Sequence, residues 1–81
     1  MVKKKNNIEN KVKIIISKRL KLSINKIKSS SGPANISKWD SLSNQNIISS
    51  LEKEFDIIFD AQDLIEMDNV SEIIGVIYSK L

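Results

Sequence analysis

The chain has no cysteine and no histidine. Without Cys there is no disulfide framework and no thiolate metal site. Without His there is no ring-nitrogen ligand and no side chain that titrates, unperturbed, near neutral pH. A Ser–His or Cys–His nucleophile pair cannot be assembled from this chain alone. Two Gly and one Pro are too few for a sandwich or barrel full of tight turns. Aromatic residues make up only 5% of the chain. No apolar run approaches the ~20 residues needed to span a bilayer. The start, MVKKKNNIEN, has lysines without an apolar stretch directly behind them, so it does not read as a signal peptide. The expectation is a cytoplasmic protein with no membrane insertion.

What is present suits a small helical domain. The 81 residues hold one core at most, and 41% of them are apolar, including fifteen isoleucines. The net charge of +3 hides a split: residues 1–39 carry +10 and residues 40–81 carry −7. That asymmetry allows a basic surface for an acidic partner or an acidic surface for a basic one.

Helical periodicity begins at residue 6. Ile8, Val12, Ile15, Ile16 and Leu20 share one face of a helix over 6–20. Residues 1–5 are expected to form a flexible basic N-terminus. Ser29-Ser30-Ser31-Gly32-Pro33 is turn chemistry, yet Leu22, Ile24, Ile27, Ile36 and Trp39 can pin the stretch 21–40 to a core. It reads as a packed loop with one helical turn near 23–28. Asp40 is a cap candidate for a helix opening at Ser41 and ending near Glu54 or Phe55, with Leu42, Ile48, Leu51 and Phe55 as apolar positions and Ile47 beside them. Asp60 and Asn69 can cap a short third and a fourth helix. Asp63 and Glu72 follow these caps by three residues, and Glu72 completes a box-like pattern. Ala61, Leu64 and Ile65 are the expected apolar contacts of the third helix. Val70, Ile74, Ile77 and Leu81 are those of the fourth.

Residues 39–59, WDSLSNQNIISSLEKEFDIIF, resemble the acyl carrier protein family. Its second helix opens with Asp-Ser-Leu, here Asp40-Ser41-Leu42, and ends in an acidic stretch before Phe, here Glu52-Lys53-Glu54-Phe55. Trp39 before Asp40 is similar to stand-alone carriers of specialised pathways such as surface-polysaccharide synthesis. The layout extends the resemblance to residues 6–81, a carrier domain. The implied fold is all-α: a four-helix bundle with a long first loop and a short third helix.

The resemblance implies that Ser41 is the attachment point of phosphopantetheine derived from coenzyme A. The arm would hold acyl or aminoacyl groups as thioesters for a fatty-acid, polyketide or other specialised pathway. Implied partners are a phosphopantetheinyl transferase, a loading ligase, and a downstream transferase or synthase. The chain would be a substrate and partner of enzymes rather than an enzyme, and a monomer.

Partner recognition is expected at Trp39, Asp40, Leu42, Asn46, Ser49, Glu52 and Lys53. Some of these positions have plain structural readings too. Asp40 serves as a cap, Trp39 packs the loop, and Leu42 is either a partner contact or a half-buried first-turn residue. Glu52, Lys53 and Glu54 are an interface or a solvated helix end. Asn46 and Ser49 depart from the family pattern, which is often acidic and apolar at those two places. Phe55, Phe59, Ile65, Ile73 and Ile77 are the candidate shelter for an acyl chain, or simply core.

Two alternatives compete. One is an unmodified helical interaction module. The other is a basic nucleic-acid-binding domain using Lys3, Lys4, Lys5, Lys11, Lys18 and Arg19. Against the second, the only plausible recognition helix is the acidic one from Ser41, which phosphates repel. The carboxylates Asp40, Glu52, Glu54, Asp56, Asp60, Asp63, Glu66, Asp68 and Glu72 form no convincing acid–base pair.

Overall fold

The computed structural model describes the backbone of residues 2–81 and the side chains from Asn7 onward. Among these residues the regular structure is entirely helical. α1 spans Val2–Leu20, α2 Ser41–Phe55, α3 Ala61–Glu66 and α4 Val70–Lys80, with one 3₁₀ turn at Ile24–Lys26 in the long loop. α1 therefore starts four residues before the expected boundary at 6. The flexible tail expected at 1–5 falls on Met1 and on side chains outside the described residues. So do the ammonium groups of Lys3, Lys4 and Lys5.

α1 buries Ile8, Val12, Ile16 and Leu20, a strict i, i+4 stripe, while Ile15 sits at its edge. α2 contributes Ile47 and Leu51. The α2 stripe thus runs through Ile47 rather than the expected Ile48, which is half-buried with Phe55 at the rim. α4 buries Val70, Ile73, Ile74, Val76 and Ile77, and Leu81 lies outside the core at 60% exposure. Burial of these aliphatic side chains is the main favourable term, each contributing about 1.5–3 kcal/mol.

Helix ends follow local chemistry. Asp40, Asp60 and Asn69 accept backbone N–H bonds from Ser43, Asp63 and Glu72. Asp60 and Asp63 form a reciprocal capping box, since Asp63 Oδ2 also accepts from the Asp60 N–H. At α4 the cap bond from Glu72 N–H to Asn69 forms. α1 and α2 both stop at non-glycine residues in the left-handed region, Lys21 and Asp56, each with φ of 56°. The next amides, Leu22 and Ile57, then reach back to the Ser17 and Glu52 carbonyls.

The loop 21–40 is stitched down. Ser31 and Ser29 carbonyls accept from the Val70 and Ser71 N–H groups at the start of α4. Ser31 is a buried polar residue: its Oγ accepts from the Lys28 N–H, and its own N–H donates to the Lys28 carbonyl. A Cβ on Gly32 would lie 2.3 Å from the Asp68 carbonyl oxygen, so only glycine permits this approach. Ile27 and Trp39 carry the loop into the core.

α3 is the opposite case. It buries none of its residues. Ala61 is exposed, and Leu64 and Ile65 are 46% and 69% exposed, so the expected apolar contacts of this helix are largely absent. The capping box and a 2.7 Å ion pair from Asp63 to Lys80 of α4 hold it.

Candidate functional site

Ser41 is the first residue of α2 and is exposed. Its position follows from the residue before it. Asp40 is extended and turns its carboxylate onto the Ser43 N–H at 2.9 Å, which fixes where the helix begins. That bond holds the Asp40 carboxyl below its ordinary value. Behind it, Trp39 is only 2% exposed and donates its indole N–H to Asn44 Oδ1 at 2.8 Å. The ring anchors the loop in the core, and its polar edge locks onto the first turn of α2. Trp39 is therefore a buried anchor, as the loop-packing reading of this residue expected, and it also lines the groove beside Ser41.

Two grooves meet at Ser41. One lies between α2 and α3, lined by Ser41, Asn44, Gln45, Ile48, Ser49 and Leu64, with a volume of ≈ 470 Å³. The second lies on the loop side, lined by Pro33, Trp39, Asp40, Ser41 and Asn44. Leu42 stands beside them, 69% exposed, which decides its reading against a half-buried first-turn residue.

Other candidates divide. Asn46, Ser49 and Lys53 are exposed along α2. Glu52 is half-buried, and its Oε2 accepts the Phe59 N–H at 2.9 Å, so it braces the α2–α3 connection. Glu54 pairs with Lys11 of α1 at 3.4 Å. Phe59, Ile73 and Ile77 are core residues and Phe55 packs against them from the rim. Ile65, placed in the same candidate shelter, instead faces outward on α3.

The sequence reading missed Asn44, Gln45, Ile48 and Leu64 as groove walls. Asn44 carried a usable signal: it sits on the first turn, five residues after a Trp whose N–H needs a partner once buried. Leu64 gave none, because its exposure is decided by how α3 lies on the bundle.

The arrangement offers an exposed serine at a capped helix start, flanked by grooves. No family model matches the chain. The chain is 35% identical over 75 residues to the acyl carrier protein of Buchnera aphidicola subsp. Schizaphis graminum (strain Sg), covering 93% of this chain and 95% of that protein. On that similarity, and with its all-helical fold, the chain belongs to the acyl carrier protein family.

Proposed function

We propose that residues 6–81 form a carrier domain that bears phosphopantetheine on Ser41 and presents acyl or aminoacyl thioesters to partner enzymes of a fatty-acid, polyketide or other specialised pathway. The observation that carries this reading is the exposed Ser41 hydroxyl at the first turn of α2, opening onto two grooves. In the attachment step the Ser41 oxygen forms a bond to the β-phosphorus of coenzyme A. The bond from that phosphorus to the nucleotide diphosphate bridge breaks, adenosine 3′,5′-bisphosphate leaves, and the Ser41 proton passes to a base on the transferase. The missing His is no objection to this role, because the transferase would bring both base and metal.

The residues around Ser41 fit the group. Its phosphodiester would sit at the N-terminus of a fifteen-residue helix, where unpaired N–H groups and the macrodipole favour anions. Asp40 consumes the Ser43 N–H, which leaves those of Ser41 and Leu42 facing that end. The α2–α3 groove has the volume of an ordinary small-molecule site. When bound, the arm supplies a terminal thiol for thioester exchange. Leu42, exposed beside the attachment point, offers partners an apolar contact. Trp39 preceding Asp40 supports the stand-alone type of carrier, acting in the cytoplasm as a monomer. No described helix is long and apolar enough to cross a membrane.

The test is co-expression with a broad-specificity phosphopantetheinyl transferase followed by intact mass measurement. The expected result is a gain of one phosphopantetheine, abolished by Ser41→Ala. Absence of any gain with several transferases would favour the unmodified interaction module.

A further inference from the structure

The basic half of the chain is not used by the attachment of an arm. Residues 1–39 hold eleven basic side chains and one acidic one, whereas residues 40–81 hold two and nine. The fold sets much of this excess on the outer face of α1. At about 100° per residue, Ile14 lies opposite the buried stripe of Ile8, Val12, Ile16 and Leu20. Asn10, Lys11, Ser17 and Lys18 surround it within about 60° of arc, and Lys21 follows at the helix end. The one acid of this half, Glu9, sits about 140° away round the helix, half-buried in a groove with Ser29 and Tyr78. The carboxylate that reaches α1 from α2 is Glu54, which pairs with Lys11 at 3.4 Å. Among the described residues, the exposed Lys18 and Lys21 form no ion pair. Because Ser29 meets Glu9 in one groove, the loop doubles back along α1 and brings the exposed Lys26 and Lys28 beside it. α2 lies on the inner side, where Arg19 donates its Nε–H to Ser50 Oγ at 2.8 Å.

We infer that the outer face of α1 docks the protein on an anionic lipid surface, without spanning it. Charge complementarity and charge type together commit it to that occupant. The free cations here are lysines, and the chain's one Arg is turned inward. Lysines act as point charges, so they reward a dense anionic plane by their number rather than by paired geometry. The exposed large apolar residues of this half, among the described residues, are Ile14 and Ile24, 41% and 42% exposed. Both stand among lysines: Ile14 between Lys11 and Lys18, Ile24 between Lys21 and Lys26. An apolar group inside a cationic patch gains by entering the boundary beneath lipid headgroups, and gains nothing from a phosphate backbone in water. The −7 carried by residues 40–81 is repelled by the same surface, which orients the molecule with α1 toward it. The grooves at Ser41 are lined by α2, α3 and the end of the loop, so they stay open in this orientation. With one polybasic signal and no lipid anchor, the binding is weak and reversible.

The experiment is cosedimentation of the unmodified full chain with vesicles of phosphatidylglycerol and phosphatidylcholine in equal parts, and with phosphatidylcholine alone. Binding is expected to the first and not to the second. Raising salt from about 20 to about 500 mM should abolish it. Each lysine near an anionic leaflet strengthens binding about fivefold, so Lys18→Gln/Lys21→Gln should weaken it about twentyfold. The control Lys38→Gln/Lys53→Gln removes the same charge from exposed positions off this face and should weaken it by less than about threefold. Ile14→Ser should weaken it about threefold, with helix content by circular dichroism unchanged in every variant. Short duplex DNA and polyglutamate, added as competitors at equal charge, should leave the chain on the vesicles. Displacement by DNA would replace the lipid surface with a nucleic acid, and displacement by polyglutamate with an acidic protein. Either displacement, binding to the neutral vesicles, or equal loss in the two double-lysine variants would overturn the proposal. Modification of Ser41, read by mass, is a separate outcome and leaves this one standing or falling by itself.

Discussion

The two walls that flank Ser41 are built in opposite ways. On one side the irregular stretch from Lys21 to Asp40 has little repetitive structure, yet it buries Ile27, Ser31, Gly32 and Trp39 and bonds its carbonyls to α4. On the other side α3 is a regular helix that buries nothing. Regularity and rigidity are therefore separate properties here. What fixes a segment is the apolar area it hides and the backbone bonds it makes to its neighbours, not its label. On the carrier reading the contrast would have a use: the packed, fixed wall would set the position of Ser41, and the loose wall, without buried residues, would be the one free to move beside the α2–α3 groove.

The hardest blow to the fixed wall is Trp39→Ala. It should cost about 3–5 kcal/mol, the usual range for emptying a large aromatic site. For a domain of this size that is most of the folding free energy. Urea melts followed by circular dichroism should show near-complete loss of cooperative folding. Trp39→Phe keeps an aromatic ring but loses volume and strands Asn44, and should cost about 2–3 kcal/mol. A Trp39→Ala protein that melted like the wild type would mean the loop is not anchored as described.

Gly32→Ala comes next. Its new methyl meets backbone, the Asp68 carbonyl oxygen at 2.3 Å and Asn69 Cα at 3.2 Å, so no side-chain rotation can relieve it. Overpacking of this kind costs about 1–3 kcal/mol. The loop should lift from α4 and partly expose Trp39, the chain's one Trp. Its fluorescence emission should move to longer wavelength, and modification of Ser41 should slow because the start of α2 is no longer held.

The fixed wall was legible in the residues and the loose one was not. The helical turn in the loop, the caps at Asp40, Asp60 and Asn69, and the opening of α2 at Ser41 follow from short-range chemistry, and the apolar residues of the loop marked it as packed. The rest depends on how helices lie against one another. Ile47 and Ile48 are adjacent and equally apolar, and only the packing of α2 against α1 decides which of them is buried. Ile65 sits in a good apolar pattern for α3 but faces water, because α3 lies on the bundle by its cap and its ion pair. Lys21 and Asp56 end their helices without the glycine that would announce a left-handed residue. The Arg19–Ser50 bond joins residues 31 positions apart, and no periodicity marks it.

The loose wall should respond to pH and charge rather than to packing. The Lys80 ammonium holds the Asp63 carboxyl below its ordinary 3.8, with the Asp60 N–H adding to the effect. The same hydrogen bond raises Lys80 above its ordinary 10.5. Asp63's contribution is therefore complete above 3.8 and fades as pH falls through its lower folded value. Lys80's is complete below 10.5 and fades as pH rises through its higher one. At either extreme, NMR signals of α3 should move toward random-coil positions before Trp39 emission changes. Asp63→Asn should produce a similar local loosening at neutral pH. Simultaneous loss of α3 and of the Trp39 environment would erase the distinction between the walls.

The smallest effect on stability is expected from Leu64→Ser. Leu64 is already 46% exposed, so removing its apolar surface should change the unfolding free energy by only about 1 kcal/mol. Its consequence lies in the groove, where it is the α3 residue facing Ile48 and Ser49 of α2. If the pantetheine arm rests there, attaching it should shift the amide signals of Gln45, Ile48 and Ser49 in the wild type, and much less in Leu64→Ser. Melting should differ only modestly between the two unmodified proteins. A variant whose arm-induced shifts matched the wild type would show that the loose wall does not shape the groove around the arm. The fixed wall at Pro33 and Trp39 would then be the only side of the site that the arm touches.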